Sequence, residues 1–338
     1  MANEVTIGVV GAGSWGLALS RRLALKGRDV LVWVYDRAEY EELQSTQKSV
    51  DFGSGVTLPE NIRYTMDFSD FGDRNLLVMA VPSHAMRPVA TQINDRQLLP
   101  DLIVNVAKGI ENDTLKRMSQ VLLEEIEDLN PSNLVTLSGP SHAEEVSRDV
   151  PTAVVAASES LESAEQVQEI FLDECFRVYT NQDIIGVELG GSTKNVIAIA
   201  AGILDGMEYG DNPKAGLMTR GIMEITRLGV SIGAREETFS GLSGIGDLIV
   251  TCLSQHSRNR YVGEQIGRGR KVEEILNEMK MVAEGVKTTE SVHQLAENHG
   301  IDMPITREVY KVLFHEKSPV NALHDLMTRE PVPERHSL

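Results

Sequence analysis

Short unbroken apolar runs alternate with helical stretches along the first half of the chain. Val5 to Val10, Val30 to Val34, Leu76 to Val81, Leu102 to Val106, Leu134 to Leu137, Ala153 to Ala157 and Phe176 to Tyr179 form this series. Strands without polar alternation are buried on both faces, so the pattern predicts a parallel sheet covered by helices. Beyond about Asp183 the strand-like runs stop, and helical stretches punctuated by Gly, Asn and Pro take over. The expected architecture is therefore an α/β doubly wound sheet over residues 1–185, followed by an all-α domain over residues 186–338. The tail from Arg329 to Leu338, with two prolines and few apolar residues, reads as a frayed end.

One loop gives the first half a chemistry. Gly11-Ala12-Gly13-Ser14-Trp15-Gly16 lies between the first run and a helix expected from Ser14 to Lys26. In such a turn the first glycine bends the chain and the second admits a pyrophosphate to the backbone. The third lets helix and strand pack closely. The free N–H groups of the helix start then bind the phosphates. Asp36 follows twenty residues after Gly16, at the expected end of the second strand, and is placed to accept hydrogen bonds from a ribose 2′-OH. That favours NAD, whereas Arg37 beside it offers a partner for a 2′-phosphate; NAD and NADP both stay open.

Composition narrows the class. A chain of 338 residues suits two domains, and 41% apolar with 24% charged residues is that of a globular protein. No apolar run reaches the roughly 20 residues of a membrane span, and Met1-Ala2-Asn3-Glu4 lacks the basic start of a secretory signal. Cys175 and Cys252 read as reduced core residues of a cytoplasmic protein. A net charge of −18 argues against nucleic acid as a partner. It also gives weight to the few cations set in Gly-rich or polar motifs: Lys108, Lys194 and Arg258.

Lys194 precedes the apolar run Val196 to Ala201 and shares a helical face with Gly190, Gly191, Ala198 and Ala201. A cation at the edge of a buried helix needs a partner or a task. A face of such small residues leaves room for something other than protein to approach the amine. Lys108-Gly109 and Ser138-Gly139-Pro140-Ser141-His142 end two predicted strands, where an open sheet forms its binding crevice. His142 reads as a capping or packing residue rather than a proton carrier. Gly241 to Asp247 is a glycine-rich turn. After it, Ser257-Arg258-Asn259-Arg260 combines a natural N-cap with an arginine fork, which suits a phosphate monoester.

Taken in order, Gly11 to Gly16, Lys108-Gly109, Gly139-Pro140-Ser141, Lys194-Asn195, Gly241 to Asp247, Ser257-Arg258-Asn259 and Val282-Ala283-Glu284-Gly285 resemble the bacterial NAD(P)-dependent sn-glycerol-3-phosphate dehydrogenases. The resemblance runs from about residue 5 to about residue 325. It implies interconversion of dihydroxyacetone phosphate and glycerol 3-phosphate by hydride transfer at C2, supplying the backbone for phospholipid synthesis. It further implies that Lys194 exchanges the proton, and that Lys108, Gly139, Ser141, Asp247, Ser257, Arg258 and Asn259 contact the substrate with it. Ser14, Trp15, Lys108, Ala143, Arg258, Val282 and Glu284 would line the dinucleotide. No metal is implied. A homodimer suits the apolar surface of the second domain.

Two departures stand out. Ser192-Thr193 replaces the family's usual Ala-Leu before the lysine, which makes its approach more polar. Asp51 to Gly55 replaces the common Tyr-Leu-Pro stretch. Two rival readings remain: a related dehydrogenase of another small acid, of the 6-phosphogluconate or ketopantoate type, and a non-catalytic NAD-binding redox sensor. The Ser257-to-Asn259 segment and the Gly241-to-Asp247 turn favour the glycerol phosphate family over the other dehydrogenases, and the presence of both the lysine and the arginine speaks against the sensor.

Overall fold

The computed structural model describes residues 5–49, 52, 56–279 and 283–334. The chain divides into two compact units. The first comprises residues 1–108 and 116–187, the second residues 109–115 and 188–338.

The first unit is built on an eight-stranded sheet: β1 (Ile7–Val10), β2 (Val30–Trp33), β3 (Ile62–Thr65), β4 (Leu76–Met79), β5 (Leu102–Asn105), β6 (Leu134–Ser138), β7 (Thr152–Ala157) and β8 (Phe176–Asn181). Helices α1 (Ser14–Leu25), α2 (Arg37–Thr46), α3 (Met86–Asp95), α4 (Met118–Glu125), α5 (Ala143–Val146) and α6 (Leu161–Phe171) join them. The strand order β3-β2-β1-β4-β5-β6-β7-β8 places β1 centrally, with the doubly wound reversal between β1 and β4. Strands β1, β2, β4, β5 and β6 are buried at every position, as their uninterrupted apolar character requires.

Two features depart from the expected parallel sheet. Strand β7 runs antiparallel to β6, while the other pairings are parallel. The connection between β6 and β7 carries only the four-residue α5, less helix than a crossover along the sheet needs. Strand β3 is absent from the apolar runs because it is an edge strand of mixed composition. Within Ile62-Arg63-Tyr64-Thr65, Arg63 is exposed and pairs with Asp29 at 2.9 Å. The exposed Arg63 and the polar Thr65 hide it from a search for continuous apolar runs.

The second unit contains α7 (Ile184–Gly206), which begins in the first unit, then α8 (Asp211–Ser231), α9 (Asp247–Leu253), α10 (Arg258–Gly267), α11 (Val272–Glu278), α12 (Glu284–His299), α13 (Pro304–Phe314) and α14 (Pro319–Met327). Residues 109–115, expected in the first domain, pack with this unit instead. Their carbonyls explain why: Gly109 accepts from Ser192 Oγ at 3.2 Å and Ile110 from Ser291 Oγ at 3.4 Å. By length and composition α7 is apolar enough to cross a membrane, contrary to the expectation from apolar runs alone, but 94% of its most apolar stretch is buried inside the protein. It is a core helix.

Glycine sets how α7 meets α10. A Cβ on Gly202 would lie 1.9 Å from the Arg260 carbonyl oxygen, and one on Gly206 2.2 Å from that of Glu264. Facing them, Cβ atoms on Gly263 and Gly267 would lie 2.0 and 2.3 Å from the carbonyls of Ile199 and Ile203. Two glycine pairs at i, i+4 spacing therefore bring the helix backbones into direct contact.

Candidate active site

The glycine turn has the geometry of a phosphate cradle. Gly11 has φ +116°, and a Cβ there would lie 2.7 Å from the Ala80 carbonyl oxygen. A Cβ on Gly16 would lie 2.1 Å from the Gly11 carbonyl oxygen, so helix α1 closes onto the turn only with glycine at that position. A Cβ on Gly13 would have nothing within 4 Å. The two packing glycines are thus crowded, and the middle one faces open space at the N-terminus of α1, where a pyrophosphate would fit. The Trp15 indole Nε1 is buried, with no acceptor for its N–H among the described residues, and suits a ligand acceptor. These residues fit a dinucleotide.

Asp36 does not end β2, which stops at Trp33; it caps α2, its Oδ1 accepting from Glu39 N at 2.9 Å. It follows the C-terminal end of that strand by three residues. Tyr35 is 82% exposed, and Arg37 lies 3.9 Å from Glu41 on the solvent side of α2.

Also in the first unit, Lys108, Gly139 and Ser141 come together. Lys108 Nζ donates to the Gly139 carbonyl at 2.9 Å and reaches Ser141 Oγ at 3.5 Å, while Ser141 Oγ donates to the same carbonyl at 2.9 Å. Gly139 adopts φ +140°, and a Cβ would lie 3.0 Å from Val154 Cα, so only glycine turns the chain here without strain. His142 and Ala143 follow at the start of α5, with His142 in the N-cap position but making no side-chain capping bond.

The second unit holds Lys194. The residue is 5% exposed; its ammonium forms an ion pair with Asp247 Oδ1 and donates to Thr251 Oγ1 at 2.7 Å. Thr251 in turn donates to the Asp247 carbonyl at 2.6 Å. Asp247 is the first residue of α9, reached through a single π-helical turn, Leu242–Gly246. Such turns redirect a side chain out of the ordinary helical register. A Cβ on Gly244 would lie 2.1 Å from the Phe239 carbonyl oxygen, which explains the glycine there. Next to Thr251, burial pushes the Cys252 thiol up to about 12 against the opposing charge of Lys194, so it stays an inert thiol.

The open face expected around Lys194 is not there. A Cβ on Gly190 would lie 2.5 Å from the Ser243 carbonyl oxygen, and Ala198 and Ala201 are fully buried. Gly190 admits protein backbone, and the two alanines are covered. Nor do Ser192 and Thr193 line an approach to the amine. Both are buried and donate to helix carbonyls, Ser192 to Glu188 at 2.7 Å and Thr193 to Leu189.

Ser257 caps α10 through its hydroxyl, which accepts from Arg260 N at 3.2 Å. Arg258 and Asn259 occupy the first turn. Arg260 is not part of an anion fork, since its Nε donates to Asp205 at 2.7 Å. Asn259 Oδ1 accepts from Gly285 N at 2.9 Å, bringing the Ser257-to-Asn259 and Glu284-Gly285 motifs together.

Comparison with known proteins shows the family. Residues 6–164 match the family model for the NAD-dependent glycerol-3-phosphate dehydrogenase N-terminus, and residues 183–324 that for its C-terminus. The chain belongs to the NAD-dependent glycerol-3-phosphate dehydrogenase family. It is 54% identical over 329 residues to a glycerol-3-phosphate dehydrogenase (NAD(P)+) of Chlorobium phaeobacteroides strain BS1, spanning 97% of this chain and 98% of that one. It also resembles the crystal structure of glycerol-3-phosphate dehydrogenase from Coxiella burnetii, with TM-score 0.92 and 35% identity over 96% of this chain and 99% of that one. A ketopantoate reductase from Ralstonia eutropha shares the fold alone, at 14% identity and TM-score 0.60 over 95% of this chain and all of that one.

Within this glycerol-3-phosphate dehydrogenase family member, Thr251 escapes a reading from motifs. It lies inside the apolar stretch Leu248 to Cys252, and its only signal is its i+4 spacing from Asp247. Cys175 is half-buried rather than buried, and both thiols are free. Val282 and most of the Asp51-to-Gly55 segment lie outside the described residues.

Proposed function

We propose that this protein interconverts dihydroxyacetone phosphate and sn-glycerol 3-phosphate, with Lys194 exchanging the proton on the C2 oxygen. The observation that carries the reading is a buried ammonium held by two acceptors, Asp247 and Thr251, rather than released to solvent. A bound NAD or NADP supplies or accepts the hydride. The Asp247 carboxylate stabilises the charged ammonium, which is the form that delivers a proton to a carbonyl oxygen. Thr251 fixes the orientation of the ammonium.

On this reading Gly11, Gly13, Ser14, Trp15, Gly16, Asp36 and Ala143 hold the dinucleotide, with Lys108, Arg258, Val282 and Glu284. Lys108, Gly139 and Ser141 meet the substrate. Ser257, Arg258 and Asn259 bind its phosphate, using the start of α10 and a charged fork. A cytoplasmic role in supplying glycerol phosphate for phospholipid synthesis is in keeping with the two free thiols.

Lys194→Ala tests the assignment. General acid–base catalysis contributes about 10²–10⁴-fold, so NADH oxidation with dihydroxyacetone phosphate should fall by that factor while the binary Kd for NADH stays within about twofold. Near-normal turnover would remove Lys194 from the chemistry.

A further inference from the structure

Helix α12 lacks an N-terminal cap of its own. Ala283 occupies the N-cap position and has no side chain to accept the free N–H groups of the first turn. The missing acceptor comes from another helix: the Asn259 side chain on α10 takes the Gly285 N–H at 2.9 Å. Gly285 is fitted between two neighbours. A Cβ there would lie 2.7 Å from Asn259 Oδ1 and 3.0 Å from the carbonyl oxygen of Asn195, the residue after Lys194. On the following turn of α12, Thr289 Oγ1 donates to the Gly285 carbonyl at 2.6 Å. Three motifs, on α7, α10 and α12, therefore converge on one peptide group.

We infer that Asn259 is a positioning residue that couples the phosphate-binding turn to the dinucleotide-binding segment, its amide oxygen fixing the first turn of α12 while its amide nitrogen is left for the substrate anion. Because Oδ1 faces a donor, the Nδ2 amine is the remaining face of the side chain, and it can only donate. A phosphate oxygen is the complementary acceptor. The same side chain that senses the phosphate thus sets the position of Glu284, the first residue of α12. The inference rests on the assignment of Ser257 to Asn259 to phosphate and of Glu284 to the dinucleotide.

Asn259→Asp and Asn259→Ala separate the two halves of the role. Aspartate keeps an acceptor for Gly285 N–H, and a carboxylate is welcome at a helix N-terminus; it replaces the donor facing phosphate with a negative charge. Alanine removes both. Alanine leaves the buried Gly285 N–H without its acceptor. In Asn259→Ala, amide exchange over residues 284–288 in the ligand-free protein should therefore quicken about tenfold, and the binary Kd for NADH should rise about fivefold. In Asn259→Asp, exchange and NADH affinity should stay within about twofold of the parent, while KM for dihydroxyacetone phosphate should rise more than about tenfold. A purely structural or purely substrate-contacting Asn259 would not show this split.

Unchanged exchange and NADH affinity in Asn259→Ala would overturn the coupling, as would an equal loss of NADH affinity in both variants. If Asn259→Ala does not fold, Asn259→Asp decides, since weakened NADH binding there rejects the proposal. Glu284→Ala distinguishes the premise from the inference. An unaltered NADH Kd in that variant rejects the Glu284 assignment and with it the coupling to cofactor. A raised Kd there, with none in a folded Asn259→Ala, rejects the positioning role alone.

Discussion

At Lys194 a buried charge meets two acceptors of different character, and they do different work. Asp247 supplies charge; Thr251 supplies direction, accepting from Nζ at 2.7 Å while anchored to the Asp247 carbonyl. Thr251→Val keeps the shape of the side chain and deletes the acceptor, leaving a buried N–H without its partner. Loss of such a bond costs about 1–3 kcal/mol, so kcat should fall about tenfold or more. KM for the phosphorylated substrate should change little, because the phosphate is assigned to the start of α10. Thr251→Ser, which retains the hydroxyl, should recover most of the rate. A Val variant as fast as the parent would leave Asp247 alone to orient the amine. Asp247 is legible in the sequence because it ends a glycine-rich turn. Thr251 is not, since a lone hydroxyl inside an apolar helix reads as core.

Among the elements, the runs of residues buried on both faces are legible because each of β1, β2, β4, β5 and β6 is apolar at nearly every position. Strand β3 is illegible for the opposite reason, carrying an exposed Arg63 at the sheet edge. The antiparallel β7 is also hidden, because a buried strand reads alike in either direction and only the brevity of α5 distinguishes them. Glycines mislead in a more instructive way. Those near Lys194 suggest space for a ligand, yet Gly190 receives the Ser243 backbone, as Gly202 and Gly206 receive α10. A missing side chain signals close approach without saying by what. The contact between α7 and α10 makes this testable. Gly202→Ala would place Cβ 1.9 Å from the Arg260 carbonyl oxygen, a backbone atom that cannot swing aside. Overpacking of this kind costs about 1–3 kcal/mol or more. Gly216→Ala, on α8 with nothing within 4 Å of its Cβ, should be neutral or slightly stabilising. Equal thermal midpoints for these two variants would show that α7 and α10 do not touch backbone to backbone.

For the whole molecule, one of the two units carries a pH-sensitive load that tryptophan emission does not follow. Both tryptophans, Trp15 and Trp33, lie in the first unit, so tryptophan emission does not follow the helical second unit, whereas far-UV ellipticity registers its helices together with those of the first. In the second unit Glu224 of α8 is buried and caps the start of α13, accepting from Ile305 N at 2.7 Å and from Thr306 N at 3.2 Å. Burial pushes its carboxyl from the ordinary 4.5 up to about 7, although both backbone donors pull the other way. The sign of the consequence follows from where the proton sits. Below pH 4.5 the folded and unfolded chains both carry it. Between 4.5 and about 7 the unfolded chain releases it while the folded one retains it, so stability falls as pH rises through this window. Above about 7 both states are ionised and the loss levels off. One proton changes stability by at most about 1.4 kcal/mol per pH unit, hence about 3 kcal/mol across the window. Glu224→Gln removes the titration. Subtracting the variant's unfolding free energy, measured by ellipticity in denaturant, from the parent's should give a difference that declines from pH 4.5 to 7 and is flat on either side. The other carboxylates and histidines titrate alike in both proteins and cancel. A difference independent of pH would mean that Glu224 is already ionised in the folded state throughout this range, held there by the N-terminus of α13 against the pull of burial.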